Sequence, residues 1–398
     1  MFFCAKMKKL FLISTAAPIL TFCYMSEACA FHDGGVGNCD GCHTIHNSSG
    51  GIPEAVSPGR WLLKGMDPGS ICLNCHAGPG SVMQPYVASA DGSALTPGGD
   101  FYWLTKTFSW STGTSPGYSH GHNIVALDYG YAADSVRLQA PGGTYPSADL
   151  TCTSCHDPHG RARGAGTGAS TLPISGSGSY GDMPTPVTRL GTYRLLGSIG
   201  YNGGSHVQGY SFSNRAPIAT QNEAEPFGES DASHVAYGSG MSEWCVNCHA
   251  SYITLNHSQF VHPSGDGVRL LGKMTNDYNA YVRTGDLSGN GATAYLQFVP
   301  FEQGETDASL LDPTSTQGAN SKSRVMCLTC HRAHASAFRA IGRWDFDATL
   351  LAVSHPAQSD AGVSGNDILY SYYGRNIGAE FGAWQQSFCE KCHGVAVP

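Results

Sequence analysis

Twelve cysteines of this chain stand in six pairs of one spacing: Cys39 and Cys42, Cys72 and Cys75, Cys152 and Cys155, Cys245 and Cys248, Cys327 and Cys330, Cys389 and Cys392. A histidine follows each pair directly: His43, His76, His156, His249, His331 and His393. Two thiols three residues apart lie on one turn, where both can form thioethers to the vinyl groups of a porphyrin. The next imidazole then reaches the iron. C-x-x-C-H is the attachment signature of c-type haem. Zinc ribbons and redox pairs share the cysteines, but zinc does not require histidine at the same place six times in six. A disulfide framework does not put every cysteine into C-x-x-C. Six covalent haems c are expected.

The second axial position decides the chemistry. Histidine there saturates the iron and keeps its potential low, methionine raises the potential, and an open position allows catalysis. Eleven of the seventeen histidines remain for this role: His32, His46, His120, His122, His159, His206, His234, His257, His262, His334 and His355. Methionines are also present, but with histidine in surplus each is expected to serve packing. His46, His159 and His334 each lie three residues after a motif histidine, in CDGCHTIH, CTSCHDPH and CLTCHRAH. Positions i and i+3 share a helical face. The second imidazole cannot reach the iron its neighbour already holds, so it is placed to ligate an adjacent haem.

The elements that must position these residues are sparse. Charged residues are 13% of 398, while Gly numbers 51 and Pro 21. So turn-rich a chain has trouble burying enough of its own surface. The first cysteines are separated by 33, 80, 93, 82 and 62 residues, so the motifs form no fixed-period array. At this density each haem must lie near another, and porphyrins and iron ligation substitute for much of a side-chain core. The fold expected is a multihaem cytochrome c, mostly coil with short helices and little or no sheet, its core formed by six closely packed haems. Helices are predicted over Ala383–His393 and Asn366–Tyr373, the latter closed by Gly374, and over His334–Ile341 and Asn276–Thr284 before Gly285. Stretches 160–182, 198–240 and 284–292 read as loops. Gly98-Gly99 and Pro141-Gly142-Gly143 read as tight turns.

The N-terminus reads as a segment to be removed. Lys6, Lys8 and Lys9 precede an apolar run from Leu10 to Met25, and Ala28-Cys29-Ala30 offers small residues before Phe31. Residues 1–30 are read as a signal peptide and 31–398 as one domain. Cys4, Cys23 and Cys29 leave with the signal peptide, and no cysteine is then left outside a motif. The apolar run is shorter than the 18 or more residues of a spanning helix, so no membrane span is expected. Export also suits haem attachment outside the cytoplasm. Loss of three lysines and one glutamate takes the net charge from −8 to −10, which argues against nucleic acid as a partner.

The chain resembles the OmcS-type hexahaem cytochromes of metal-respiring bacteria. The resemblance begins at FHDGGVGNCDGCHTIHN and continues through LTPGGDF, GHNIVALDY, APGGTYP and CTSCHDPHG. It runs on through VAYGSGMSEWCVNCH, HPSGDG and CLTCHRAHASAF to YYGR and CEKCH. Segments 77–96, 160–240 and 303–323, and the stretch between Cys248 and His262, depart from the family pattern. The matching blocks hold six further histidines, one per haem: His32, His46, His122, His159, His262 and His334. The resemblance implies no enzyme but an electron carrier, polymerised into a conductive filament outside the cell. It implies other electron-transfer cytochromes and a metal oxide or another terminal acceptor as partners. It also implies that His46 is donated to a neighbouring subunit; the haem of Cys327, Cys330 and His331 is the expected recipient. Two other readings stay open, a monomeric periplasmic or outer-surface shuttle and a multihaem reductase with one open haem.

Overall fold

The computed structural model describes residues 39–44, 48–49, 52–53, 62–78, 86–158, 196–202, 210–222, 228–253 and 261–394. Eight short α-helices are spread along the described chain: α1 (Cys39–Cys42), α2 (Pro68–His76), α3 (Met241–Cys245), α4 (Lys273–Ala280), α5 (Cys327–Cys330), α6 (Gly365–Ser371), α7 (Ile377–Glu380) and α8 (Glu390–His393). Three antiparallel hairpins accompany them: β1 (Ser48–Ser49) with β2 (Ile52–Pro53), β3 (Phe108–Trp110) with β4 (Gly113–Ser115), and β5 (Ile218–Gln221) with β6 (Val235–Ser239). Single 3₁₀ turns and coil make up most of the rest. The expectation of a mostly irregular chain with short helices is met. Among the described residues no helix is long and apolar enough to cross a membrane.

Several local expectations are corrected. The stretch 198–240 is not only loop, because it holds β5 and β6. All five residues of β6 are buried, so it shows no in–out alternation for a sequence pattern to reveal. His334–Ile341 is not a helix. Its backbone is committed elsewhere: Gly98 O accepts from His334 N (2.7 Å), and Ser336 N donates to His120 O (3.0 Å). A 3₁₀ turn forms only at Arg339–Ile341, where Ala340 and Ile341 take φ of 55° and 59°. The predicted Ala383–His393 helix shrinks to α8, since Leu351 N donates to Gln385 O (2.7 Å) and holds that segment as coil. The helix predicted over Asn276–Thr284 starts earlier and ends at Ala280. Gly285 (φ 79°) instead turns the chain between Arg283 and Asp286. The prediction for α6 holds, with Gly374 left-handed at φ 78°.

The side chains build more of a core than composition suggests. Its largest cluster is rich in aromatic rings, with Phe298 stacked on Phe388 (5.1 Å) and Trp344 Nε1 donating to Ser387 Oγ (2.9 Å). Cys392 lies within this cluster, and Cys152 and Cys330 pack against it. A buried ion triad ties distant segments together. Glu229 Oε2 meets Arg332 Nη1 at 2.8 Å and Arg343 Nη1 at 3.0 Å, with each side chain at most 1% exposed. Burial alone would raise the Glu229 carboxyl, but the Arg343 and Arg332 guanidiniums hold it below its usual range.

Candidate functional site

Each C-x-x-C-H motif sits on a single turn. The second lies on α2, whose cap residue Asp67 accepts from Ser70 N (2.8 Å). The third lies on a 3₁₀ turn opened by Thr151 and Ser154, the fourth ends α3, and the fifth and sixth lie on α5 and α8. One closure recurs, with the motif histidine donating its N–H to the carbonyl of the first cysteine. The distances are 2.9 Å for His156 and His249, 3.0 Å for His331 and 3.1 Å for His393. This brings both thiols and the imidazole to one side of the turn.

Three motif imidazoles face a second imidazole. Ring centroids are 6.2 Å apart for His156 and His334, 6.0 Å for His249 and His122, and 5.9 Å for His393 and His262. A metal bonded to two imidazole nitrogens at roughly 2 Å each separates the ring centroids by about 6 Å. The three predicted distal histidines within the described residues therefore each stand at ligation spacing from a motif histidine. His334, from the fifth motif, faces the third and not its own. His32, His46 and His159 lie outside the described residues.

The other ring nitrogen settles which form of the imidazole is present. Nδ1 of His122, His249, His262 and His331 lies 2.7–2.8 Å from the carbonyl oxygens of Ala333, Pro141, Pro263 and Ala340. A carbonyl only accepts, so Nδ1 carries the hydrogen and Nε2 keeps its lone pair for a metal. Burial, then the neighbouring His249, pushes His122 down to about 4, which keeps it neutral as a ligand must be. The unassigned histidines differ. His120 is engaged at both nitrogens, by Trp103 O and Ser115 Oγ, and His234 by Val235 O and Ser315 O. His355 binds Asp360 (2.6 Å) and stacks on Trp110. His206 and His257 lie outside the described residues.

Two glycine turns place these rings. Gly99, at φ 98°, packs so closely that a Cβ there would lie 1.8 Å from Ala335 O. Gly121 closes on the same residue, which sets His122 and His334 side by side, with His122 N donating to His334 O (2.9 Å). The Pro141-Gly142-Gly143 turn supplies the carbonyl for His249, and a Cβ on Gly143 would meet Cys248 O at 1.8 Å. Both turns were legible in the sequence; their roles as seats for the imidazoles were not.

The motifs follow one another in space. The Cys72 side chain lies beside Cys152, and Cys245 beside Cys327. Cys155 lies within electrostatic reach of Cys248, and Cys330 within reach of Cys389 and Cys392. Motifs two to six thus form a row in chain order. Burial pushes the Cys155, Cys330 and Cys392 thiols up to about 12. Among the described residues no three His, Cys, Asp or Glu side chains converge on a common metal position. The donor set fits haem c held by two cysteines and two opposed histidines.

No family model matches the chain. It is 41% identical over 411 residues to C-type cytochrome OmcS of Geobacter sulfurreducens, covering 92% of this chain and 94% of that protein. Two solved structures from the same organism, an outer membrane cytochrome S filament and OmcS nanowires seen by cryo-electron microscopy, are similar in fold. Each aligns with 91% of this chain and 99% of its own at 39% identity, with a TM-score of 0.76.

Proposed function

The chain belongs to the family of OmcS-type c-type cytochromes, and from that membership we propose that it carries electrons along six bis-histidine haems c and polymerises into a conductive extracellular filament. The observation that carries this reading is the set of three opposed imidazole pairs at 5.9–6.2 Å, each containing a motif histidine. When bound, each haem supplies a one-electron ferric–ferrous couple. The two cysteines of each motif would tether it. In each pair the two imidazoles would hold the iron and leave no position for a substrate, and backbone carbonyls on Nδ1 fix the rings of His122, His249 and His262. The role is therefore an electron carrier and not an enzyme. Residues 1–30 direct export and are removed, leaving 31–398 as the working domain. Other cytochromes deliver the electrons, and a metal oxide or another acceptor outside the cell receives them.

His46 joins the subunits in this reading. Among the described residues no imidazole faces His331 at ligation spacing; its ring neighbour is Phe346 at 5.5 Å. His32, His46 and His159 remain for the irons of His43, His76 and His331; the likeness to filament structures supports assembly between chains, and in this reading His46 is donated to the fifth motif of the next chain. Mass spectrometry should find six haems on the mature protein, and electron paramagnetic resonance should find only low-spin ferric iron. His46→Ala should keep six haems, lose filaments and leave one haem per chain high-spin. Normal filaments with fully low-spin spectra in that variant would overturn the inter-subunit bond and favour the monomeric shuttle. A high-spin haem in the unaltered protein would favour a reductase.

A further inference from the structure

Between the fourth and fifth motifs lies a group of carboxylates that ligation does not use. Glu302 is fully buried. Its Oε1 accepts from Met241 N (2.7 Å) at the start of α3, and its Oε2 is buried with no hydrogen-bond partner. Its backbone is paired with Arg324 on one side and bridged to Tyr237 of β6 on the other. The charged groups around it are Glu243 on α3, Asp266 in the loop after His262, and Arg324. Asp266 accepts from Arg324 Nη1 (2.9 Å) and donates its own N–H to Glu243 Oε1 (2.8 Å). Three acids thus share one guanidinium. That guanidinium reaches Asp266, while Arg324 Nε and Glu243 Oε2 are buried and unpartnered. Burial, with Asp266 and Glu243 adding, raises Glu302 to about 8 against the pull of Met241 N–H and Arg324.

The position matters as much as the burial. Met241 lies one helical turn, about 6 Å, before Cys245. The next residue, Ser242, accepts at Oγ from Cys327 N (2.9 Å), and the Cys245 and Cys327 side chains are neighbours. A single hydrogen bond therefore links Glu302 to the turn where the fourth and fifth motifs meet. We propose that Glu302 is a proton acceptor coupled to the electron load of the fourth and fifth haems, a proposal that rests on the haem reading above. As one electron arrives from a neighbouring haem and a ferric iron becomes ferrous, Glu302 Oε2 takes one proton from bulk water. Reoxidation passes the electron on and returns the proton. The acid of this group nearest to solvent is Asp266, whose side chain is 46% exposed. An added negative charge disfavours a nearby carboxylate, so reduction favours the neutral acid.

Spectroelectrochemical titration of the purified holoprotein between about pH 6 and pH 9 tests this. One component of the potential should fall as pH rises, by up to about 59 mV per unit for one proton per electron. Glu302→Gln, carrying all its haems, should lose that slope. The same slope in Glu302→Gln would overturn the proposal. Where Glu302→Gln fails to accumulate, infrared difference spectra of the unaltered protein decide the matter. Reduction should then produce a carboxylic-acid band that shifts with ¹³C-glutamate labelling, and its absence would overturn the coupling. A haem mass short of six would instead mark failure of the haem reading.

Discussion

An imidazole offers two nitrogens, and here the partner of one decides the use of the other. Where Nδ1 meets a carbonyl and Nε2 is left open, as in His122 and His262, the ring stands opposite a motif histidine. Where both nitrogens are engaged within the chain, as in His120 and His234, the ring serves packing. His262→Ala should therefore turn one haem high-spin or admit a substitute ligand. His120→Gln should leave every haem low-spin and cost about 1–3 kcal/mol of stability through its buried hydrogen bonds. Electron paramagnetic resonance and denaturant titration of the two variants separate these roles. A low-spin spectrum unchanged in His262→Ala would reject the pairing with His393. The shared blocks pick out the distal rings but not what holds them, because the partner carbonyls of Ala333, Pro141 and Ala340 belong to segments remote from, or irregularly spaced around, those rings.

At the scale of elements, the helices are so short that their ends matter more than their faces. The first turn of α6 is held by Ser364 and Asp367, with Ser364 N donating to Asp367 Oδ2 (2.6 Å). Asp367 also takes Tyr102 Oη–H (2.7 Å) and Lys106 Nζ (2.9 Å). Ser364→Ala should cost about 1 kcal/mol, and Asp367→Ala more, since it strands Lys106 and Tyr102. Neither should change the haem spectrum, because α6 carries no motif. Chemical denaturation followed by optical spectroscopy reads both effects. The signals for α6 and for the glycine turns are local and were legible. The segment after His331 was misread as a helix because its backbone partners, Gly98 and His120, lie more than two hundred residues away.

At the scale of the molecule, motifs two to six line up in chain order, most of them beside an aromatic core. That core lies against attachment cysteines such as Cys392 and Cys330. Bound porphyrins would complete the other wall of this core. Expression without haem attachment should therefore yield a chain that is unfolded or degraded, as judged by circular dichroism and proteolysis. A compact apo-protein with a cooperative transition would show that the aromatic cluster suffices alone.

From the sequence alone came the expected chemistry: which cysteines would tether a haem, which histidines follow them, and which three distal imidazoles of the described chain could face them. Those assignments rest on short spacings along one turn and on blocks shared with relatives, both properties of contiguous residues. Only the tertiary structure decided that His334 faces His156, His122 faces His249 and His262 faces His393. It alone also buried Glu302 at the junction of two motifs. Pairing across the row depends on which loops pack together. In a chain with so little regular structure, that packing is set by glycine contacts, backbone carbonyls and buried charges between residues far apart in sequence, and no local periodicity records them.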